Sequence, residues 1–355
     1  MKRSASSKLP QAALETTKVD WSQWDPWAGL QGLIGIAIPL ALGFFLANPS
    51  AGAIAAGGAL YIGLGSFDKR TRTSTASMLI GSFIMSLAAL AGSLAGGQLW
   101  MIVPLAGLWA FGAGLLAVLG PPLSFIGLKS LVTLLIAGGY PSSTEDAFVR
   151  SGLILAGALL QTFLFFAEDA YLARFGAPRR LITPQPLWKK SWISLRAHIN
   201  PRADIFQHAI RLTLCILISE AVCRILLSHN TYWLPLTVAI VMRPDFEQAL
   251  NRGFARMAGT IIGAGLTTLI VMWLKPSGIT LALLTLPCAW LCFSLFKASY
   301  TLYSICITAY IVFMLSFIGL PEVSVLINRL IATFAGGSFA LLVYALWPSH
   351  RKAAP

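Results

Sequence analysis

Residues 77–119 read SMLIGSFIMSLAALAGSLA, then GG, then QLWMIVPLAGLWAFGAGLLAVL, with no Asp, Glu, Lys or Arg anywhere in the stretch. A helix needs about 20 mostly apolar residues to cross the hydrocarbon of a bilayer, and the two runs on either side of Gly96-Gly97 have that length. They are too long and too continuously apolar for the alternating strands of a membrane barrel, and in lipid a helix satisfies its own backbone polar groups. Two antiparallel transmembrane helices are therefore expected here.

Working outward, similar runs fall at Trp27 to Ala47, Ser50 to Gly65 and, after the pair above, Leu123 to Gly138 and Ser151 to Ala167. A polar interval follows, and six more run from Ala209 to Leu227, Tyr232 to Met242, Met257 to Leu274, Ile279 to Phe296, Ala298 to Leu320 and Val323 to Trp347. The fold class is an all-α polytopic membrane protein of about 12 transmembrane helices, in two tandem six-helix parallel repeats. Runs as short as Tyr232 to Met242 are candidates for half-helices. The chain divides into a cytoplasmic N-terminal segment (1–26), a first half (27–170), a basic linker (171–205), a second half (206–348) and a cytoplasmic tail (349–355).

Composition agrees with this division. Apolar residues make up 57% of the chain and charged ones 11%, with a mean hydropathy of +0.75, which excludes an ordinary soluble domain. A net charge of +13 invites a nucleic-acid reading, but in a membrane protein excess Lys and Arg marks cytoplasmic loops. With the N-terminus inside and strict alternation, only Arg150, Arg224, Lys275 and Arg329 of the basic residues fall outside. The inner set includes Lys69, Arg70, Arg72, Lys129, Arg243, Arg252, Arg256, Lys297 and the linker cations from Arg174 to Arg202. Trp188, Trp192 and Leu195 in the linker suit either a solvated tether or a short interfacial helix on anionic headgroups.

Five cysteines, all within apolar runs of the second half, show no metal-ligand spacing and read as reduced core residues. The four histidines are scattered, no glycine loop of the phosphate-binding type occurs, and no catalytic constellation is visible, so neither a cofactor nor a metal is expected. Internal correspondence supports the repeat. In each half a long first helix is followed by a polar turn (Asn48-Pro49-Ser50 or His229-Asn230-Thr231), a short second helix and a charged loop, and Asp68 to Gly81 parallels Asp245 to Gly259.

The segment YWLPLTVAIVMRPDF, Tyr232 to Phe246, is a short apolar helix stopped by Arg243-Pro244. Asp245 can cap the next helix, with Gln248 completing a capping box. On that helix Arg252, Arg256, Gly259 and Gly263 share one stripe. Two readings stand. The arginines either anchor the helix at headgroup level or line a cationic funnel, and the glycines either pack against a neighbour or let a pathway approach the backbone.

This stretch resembles the fusaric acid resistance family of bacterial inner-membrane proteins, at Trp233, Pro235, Thr237, Arg243, Pro244, Asp245, Arg252, Arg256, Gly259 and Thr260. The resemblance implies export of small organic acids, aromatic carboxylates among them, and leaves room for a periplasmic adaptor protein. It also implies a distant likeness to plant aluminium-activated malate channels, in which two six-helix subunits enclose an anion pathway. The chain departs from the family pattern at Glu247 and Ala249 and lacks the large cytoplasmic domain that longer members carry between the halves.

The candidate pathway residues are Arg243, Arg252, Arg256, Gly259, Thr260, Trp233, Thr237 and Lys129, the last either lining the pathway or snorkelling to the interface. Glu220 and Asp245 are the proton-coupling candidates, although Glu220 can equally pair with Arg224 four residues on. The expected function is an inner-membrane exporter of small organic anions coupled to the proton gradient. A passive anion channel, or a scaffold without flux, remains as an alternative. The expected partners are an organic acid and the lipid bilayer, not nucleic acid, and the oligomeric state stays open.

Overall fold

The computed structural model describes residues 18–66, 75–175, 200, 203–226 and 232–347. The basic loop at Lys69, Arg70 and Arg72, the linker helix expected around Trp188 and Trp192, the His229-Asn230-Thr231 turn, most of the N-terminal segment and the tail lie outside those residues.

Twelve α-helices occur among the described residues, and no strand. In the first half they are α1 (Pro26–Phe45), α2 (Pro49–Ser66), α3 (Thr75–Ala95), α4 (Leu99–Leu115), α5 (Pro121–Gly138) and α6 (Thr144–Arg174). In the second they are α7 (Asp204–Leu226), α8 (Trp233–Val241), α9 (Phe246–Leu274), α10 (Ile279–Leu295), α11 (Tyr300–Phe317) and α12 (Glu322–Leu346). Eight of these, α1, α3, α4 with its 3-10 continuation Leu116–Leu119, α5, α6, α9, α11 and α12, are long and apolar enough to cross a membrane. At 1.5 Å per residue α8 is only about 14 Å long, well under half a bilayer crossing of about 40–45 Å including headgroups.

The apolar runs and the helices coincide closely, with two informative departures. Both α6 and α9 begin well before the apolar run does, because a hydrogen-bonded helix continues through polar turns. The start of α6 is set by a reciprocal pair: Ser143 Oγ accepts from Asp146 N at 3.1 Å and donates to Asp146 Oδ2 at 2.8 Å. At α1, Asp25 accepts from Ala28 N and Pro26 takes the first helical position, where its missing N–H costs nothing. The capping box expected at α9 does not form. Asp245 occupies the N-cap in extended backbone, but its side chain makes no capping hydrogen bond; its carbonyl accepts from Ala249 N.

Packing within the halves runs in parallel. α2 lies on α1 and α6, and α3 on α5 and α6; in the second half α8 lies on α7 and α12, and α9 on α11 and α12. Between the halves α4 packs on α7 and α10 packs on α1. One close approach recurs in detail. A Cβ at Gly157 of α6 would overlap the Ala55 carbonyl oxygen of α2, and a Cβ at Gly336 of α12 would stand 2.9 Å from the Leu234 carbonyl oxygen of α8, both partners displaced by the same 179 positions.

Two apolar cores result, and each crosses the halves. One joins α1 and α2 (Ile36, Leu40, Ala56, Leu60) to α10 and α11 (Ala289, Phe293, Ile307, Tyr310). The other joins α3, α4 and α5 (Ala88, Ile102, Leu131) to α7, α8 and α12 (Leu212, Val238, Tyr344). The five cysteines are free thiols, four of them fully buried. Exposed Phe83, Leu108, Phe163, Ile261, Leu269 and Ile331 form an apolar outer surface that suits acyl chains. Between the two cores runs a seam where Tyr61 of α2, Leu128 and Val132 of α5, Leu236 of α8, and Ile311 and Leu315 of α11 belong to one cluster.

Candidate functional site

One end of the seam opens into a cavity of about 540 Å³. It is reached from the end of α2 (Leu64, Gly65), the first turns of α5 (Pro121 to Lys129), the end of α8 (Ile240, Arg243), the start of α9 (Arg252, Arg256), the end of α10 (Phe296, Lys297) and the start of α11 (Tyr300, Tyr303), with Asp20 and Gln23 at the rim. Ends of even-numbered helices and beginnings of odd-numbered ones thus meet on one face of the molecule, as alternating membrane crossings require.

The charges lining the cavity are lopsided. Lys129, Arg243, Arg252, Arg256 and Lys297 face it, and Asp20 is the one acid in the lining among the described residues. Asp20 is already engaged, accepting from the Ser22 amide at 3.1 Å and the Ser22 hydroxyl at 2.5 Å. Helical spacing puts Arg252 and Arg256 on one stripe of α9, and Arg243 joins them because α8 stops just before Pro244. Burial, with the Arg252 charge added to it, lowers the proton affinity of Arg243, as happens where like charges are held together without a counter-ion.

Aromatic rings stand where carboxylates would be expected. The Arg252 guanidinium lies 4.1 Å from the Tyr300 ring centre, and Lys129 Nζ lies 4.8 Å from that of Tyr61 and 5.3 Å from that of Phe125. Lys129 is 8% exposed and Arg256 3%, and Arg256 Nε has no hydrogen-bond partner among the described residues. A ring face attracts a cation more weakly than a carboxylate does, so the capacity of these cations for an anion is left unspent.

Beyond Leu128 and Ile240 the seam closes. Val132 and Ile136 of α5, Leu236 of α8, and Ile311 and Leu315 of α11 pack together with Trp233, so the cavity is blind.

The other residues singled out from sequence lie elsewhere. Gly259 and Gly263 are contact points of α9 on α11: a Cβ at Gly263 would stand 2.7 Å from the Ile305 carbonyl oxygen, and one at Gly259 would meet the Ser304 side chain and stand 2.9 Å from the Thr301 carbonyl oxygen. Thr260 and Thr237 are buried and return their hydroxyls to their own helices, to Arg256 O at 2.7 Å and Trp233 O at 3.0 Å. Trp233 is buried against Tyr232, their ring centres 4.8 Å apart, and does not reach the cavity.

Asp245 is likewise outside the lining, and Glu220 is at the opposite end of the bundle. Its Oε1 accepts from Arg224 Nε at 2.9 Å, and Arg224 also donates to Gly138 O at 2.7 Å and to Gly96 O, tying α7 to the far ends of α5 and α3. Removing one member of such a pair leaves the other charge uncompensated. Glu220→Ala is therefore expected to cost roughly 3 kcal/mol of stability, seen as earlier unfolding on heating in detergent.

Phe125, Lys297, Tyr300 and Tyr303 complete the lining, with Tyr61 behind Lys129, and none of these was singled out as a site residue from sequence. The signal available was that Lys297, like the arginines, falls at an inner helix end, with Tyr300 and Tyr303 one turn apart beside it.

Residues 214–343 match the family described as fusaric acid resistance protein-like, which bears out the resemblance read from Trp233 to Thr260. The match spans most of the second half of the chain. The chain is 28% identical over 188 residues to an uncharacterized protein ORF2 of Neisseria gonorrhoeae, a match covering 50% of this chain and 43% of the relative. It is 27% identical over 161 residues to the inner membrane protein YccS of Escherichia coli, covering 45% of this chain and 22% of that protein. An uncharacterized protein of Haemophilus influenzae is 26% identical over 157 residues, 44% of this chain and 22% of the relative. The chain thus matches less than half the length of each of these curated relatives. No solved structure matches it significantly.

Proposed function

We propose that this chain, whose second half is a fusaric acid resistance protein-like domain, exports small organic anions, aromatic carboxylates among them, across a bacterial inner membrane. The observation that carries the reading is the cavity, in which five cations and a wall of aromatic rings face one rim carboxylate. A volume of about 540 Å³ lies within the range of sites for drug-sized molecules and is ample for a one-ring acid. Guanidinium groups supply the planar fork that fits a carboxylate, and the rings supply an apolar body.

In this reading the end that carries the cavity faces the cytoplasm with both termini, which the basic residues gathered there support by the positive-inside rule. In this reading the halves are related by a pseudo-two-fold axis along the membrane normal. The displacement by 179 positions of the Gly157 and Gly336 contacts supports that relation, as does the reciprocal docking of α4 on α7 and α10 on α1. A blind cavity opening to one side suits alternating access. Coupling to the proton gradient would fall to Glu220 or Asp245. A passive anion channel is the second reading, favoured by the absence of any acid but Asp20 from the described lining.

Benzoate flux from liposomes containing the purified chain alone tests the proposal. Outward movement accelerated by an imposed pH gradient, and made independent of it in Glu220→Gln or Asp245→Asn, supports coupled export. Movement that follows the benzoate gradient and the membrane potential alone supports the channel. No flux of benzoate, or of an aliphatic acid such as malate, from the chain alone would remove transport as its intrinsic activity.

A further inference from the structure

Deeper in the seam stands a cation that the cavity does not include. Arg329 lies seven residues into α12, about 10 Å below the start of the helix, and is 1% exposed. Its Nε makes a long hydrogen bond, 3.4 Å, to Thr308 Oγ1 of α11, while Nη1 and Nη2 are buried without a partner among the described residues. The guanidinium carbon is 5.1 Å from the ring centre of Trp233. Among the described residues, the charged or titratable groups shown within electrostatic reach are Arg256, Tyr303, Tyr61, Tyr232 and Cys292, with no carboxylate among them.

The other two buried or half-buried arginines assigned to the same outer side of the sequence are spent differently. Arg224 holds Glu220 and the carbonyls of Gly96 and Gly138. Arg150, which stands 179 positions before Arg329, donates to Ser93 Oγ at 2.7 Å and to the Tyr140 carbonyl. The same displacement relates Gly157 to Gly336. At corresponding places, then, one half satisfies its arginine with backbone and hydroxyl oxygens, and the other leaves both terminal nitrogens of its arginine open. A guanidinium buried in this way is costly unless an acceptor arrives, and a ring face compensates only in part.

We propose that Arg329 is a second anion station, about 10 Å in from the first residue of α12 and beyond the floor of the cavity, where the open Nη1–Nη2 edge takes the carboxylate of an organic acid whose apolar body rests among Trp233 and the neighbouring tyrosines. The inference rests on the transport reading above. It adds an ordered path: entry at Arg243 and Arg252, passage past Arg256 and Lys129, and transfer to Arg329 once the aliphatic floor parts. The fork geometry favours a carboxylate over chloride, because two parallel N–H donors match two oxygens.

The test is thermal unfolding of the full chain in lipid nanodiscs, with sodium benzoate against sodium chloride at equal ionic strength. Arg329→Gln should melt no lower than wild type without benzoate, since it removes an uncompensated buried charge, and should lose most of the benzoate-induced rise in Tm. Arg329→Lys keeps the charge but not the fork; it should need several-fold more benzoate for the same rise while responding to chloride as wild type does. If the Gln variant fails to insert, the Lys variant carries the test on the same readout. A benzoate response of wild-type size in the variant that is read overturns this inference alone. Absence of any response in the wild-type chain to benzoate, and to malate tried in its place, overturns the transport reading and this inference with it.

Discussion

Arg256→Gln is expected to lower carboxylate flux by about ten- to a hundredfold while leaving insertion and purification unchanged. Arg256 is 3% exposed, lines the cavity and lies within electrostatic reach of Arg329, so it stands between the entry cations and the deeper one. A hydrogen bond to a charged group contributes roughly 1.5–3 kcal/mol, and each 1.4 kcal/mol is a factor of about ten. Folding should not suffer, because the substitution removes a buried charge that has no acid partner among the described residues. Initial-rate benzoate efflux from liposomes, normalised to inserted protein, is the measurement. Flux equal to wild type would make Arg256 a membrane anchor and take the centre out of the proposed site.

Gly157→Leu is expected to abolish the folded protein, whereas Gly152→Leu on the same helix should be tolerated. At Gly157 a Cβ would overlap the Ala55 carbonyl, and three residues earlier on α6 the Ile154 carbonyl already presses on Gly58 of α2, so two backbones meet with no flexible side chain between them to yield. At Gly152 nothing lies within 4 Å. Extra methylenes in an adaptable core cost about 1–3 kcal/mol, and an isobutyl group forced against backbone costs more. The recovery of a monodisperse peak on gel filtration in mild detergent separates the outcomes. A Gly157→Leu protein as monodisperse as wild type would mean that α2 and α6 can move apart without loss.

Most of the fold was legible in the sequence because lipid imposes a simple rule: an uninterrupted apolar run becomes a helix. All twelve helices fall where such runs do, and the departures have local causes. α9 starts at Phe246, eleven residues ahead of its apolar run, because Glu247, Arg252 and their neighbours are helix-compatible even though they are polar. α11 stops at Phe317 because Gly319, at φ +96°, and Pro321 end it.

The site was legible only in part. Helical spacing relates Arg252 to Arg256, but nothing linear reveals that Lys129 and Lys297 converge on them, since that depends on how α5 and α10 are set around the seam. The residues that made the stretch from Trp233 to Thr260 conspicuous divide between two tasks. Arg243, Arg252 and Arg256 face the cavity, Gly259 sets how closely α9 approaches α11, and Thr237 and Thr260 are buried and bond back to their own helices. Arg150 and Arg329 each stand a few residues into an apolar helix, and only their surroundings separate a satisfied guanidinium from an open one.

The greasy floor formed by Val132, Ile136, Leu236, Ile311 and Leu315 has a further consequence for the cell. A constriction of such side chains repels water when vacant, and without a water thread neither protons nor small inorganic ions can hop through. On the proposed transport reading, an idle copy would therefore act as an insulator and leave the respiratory battery charged.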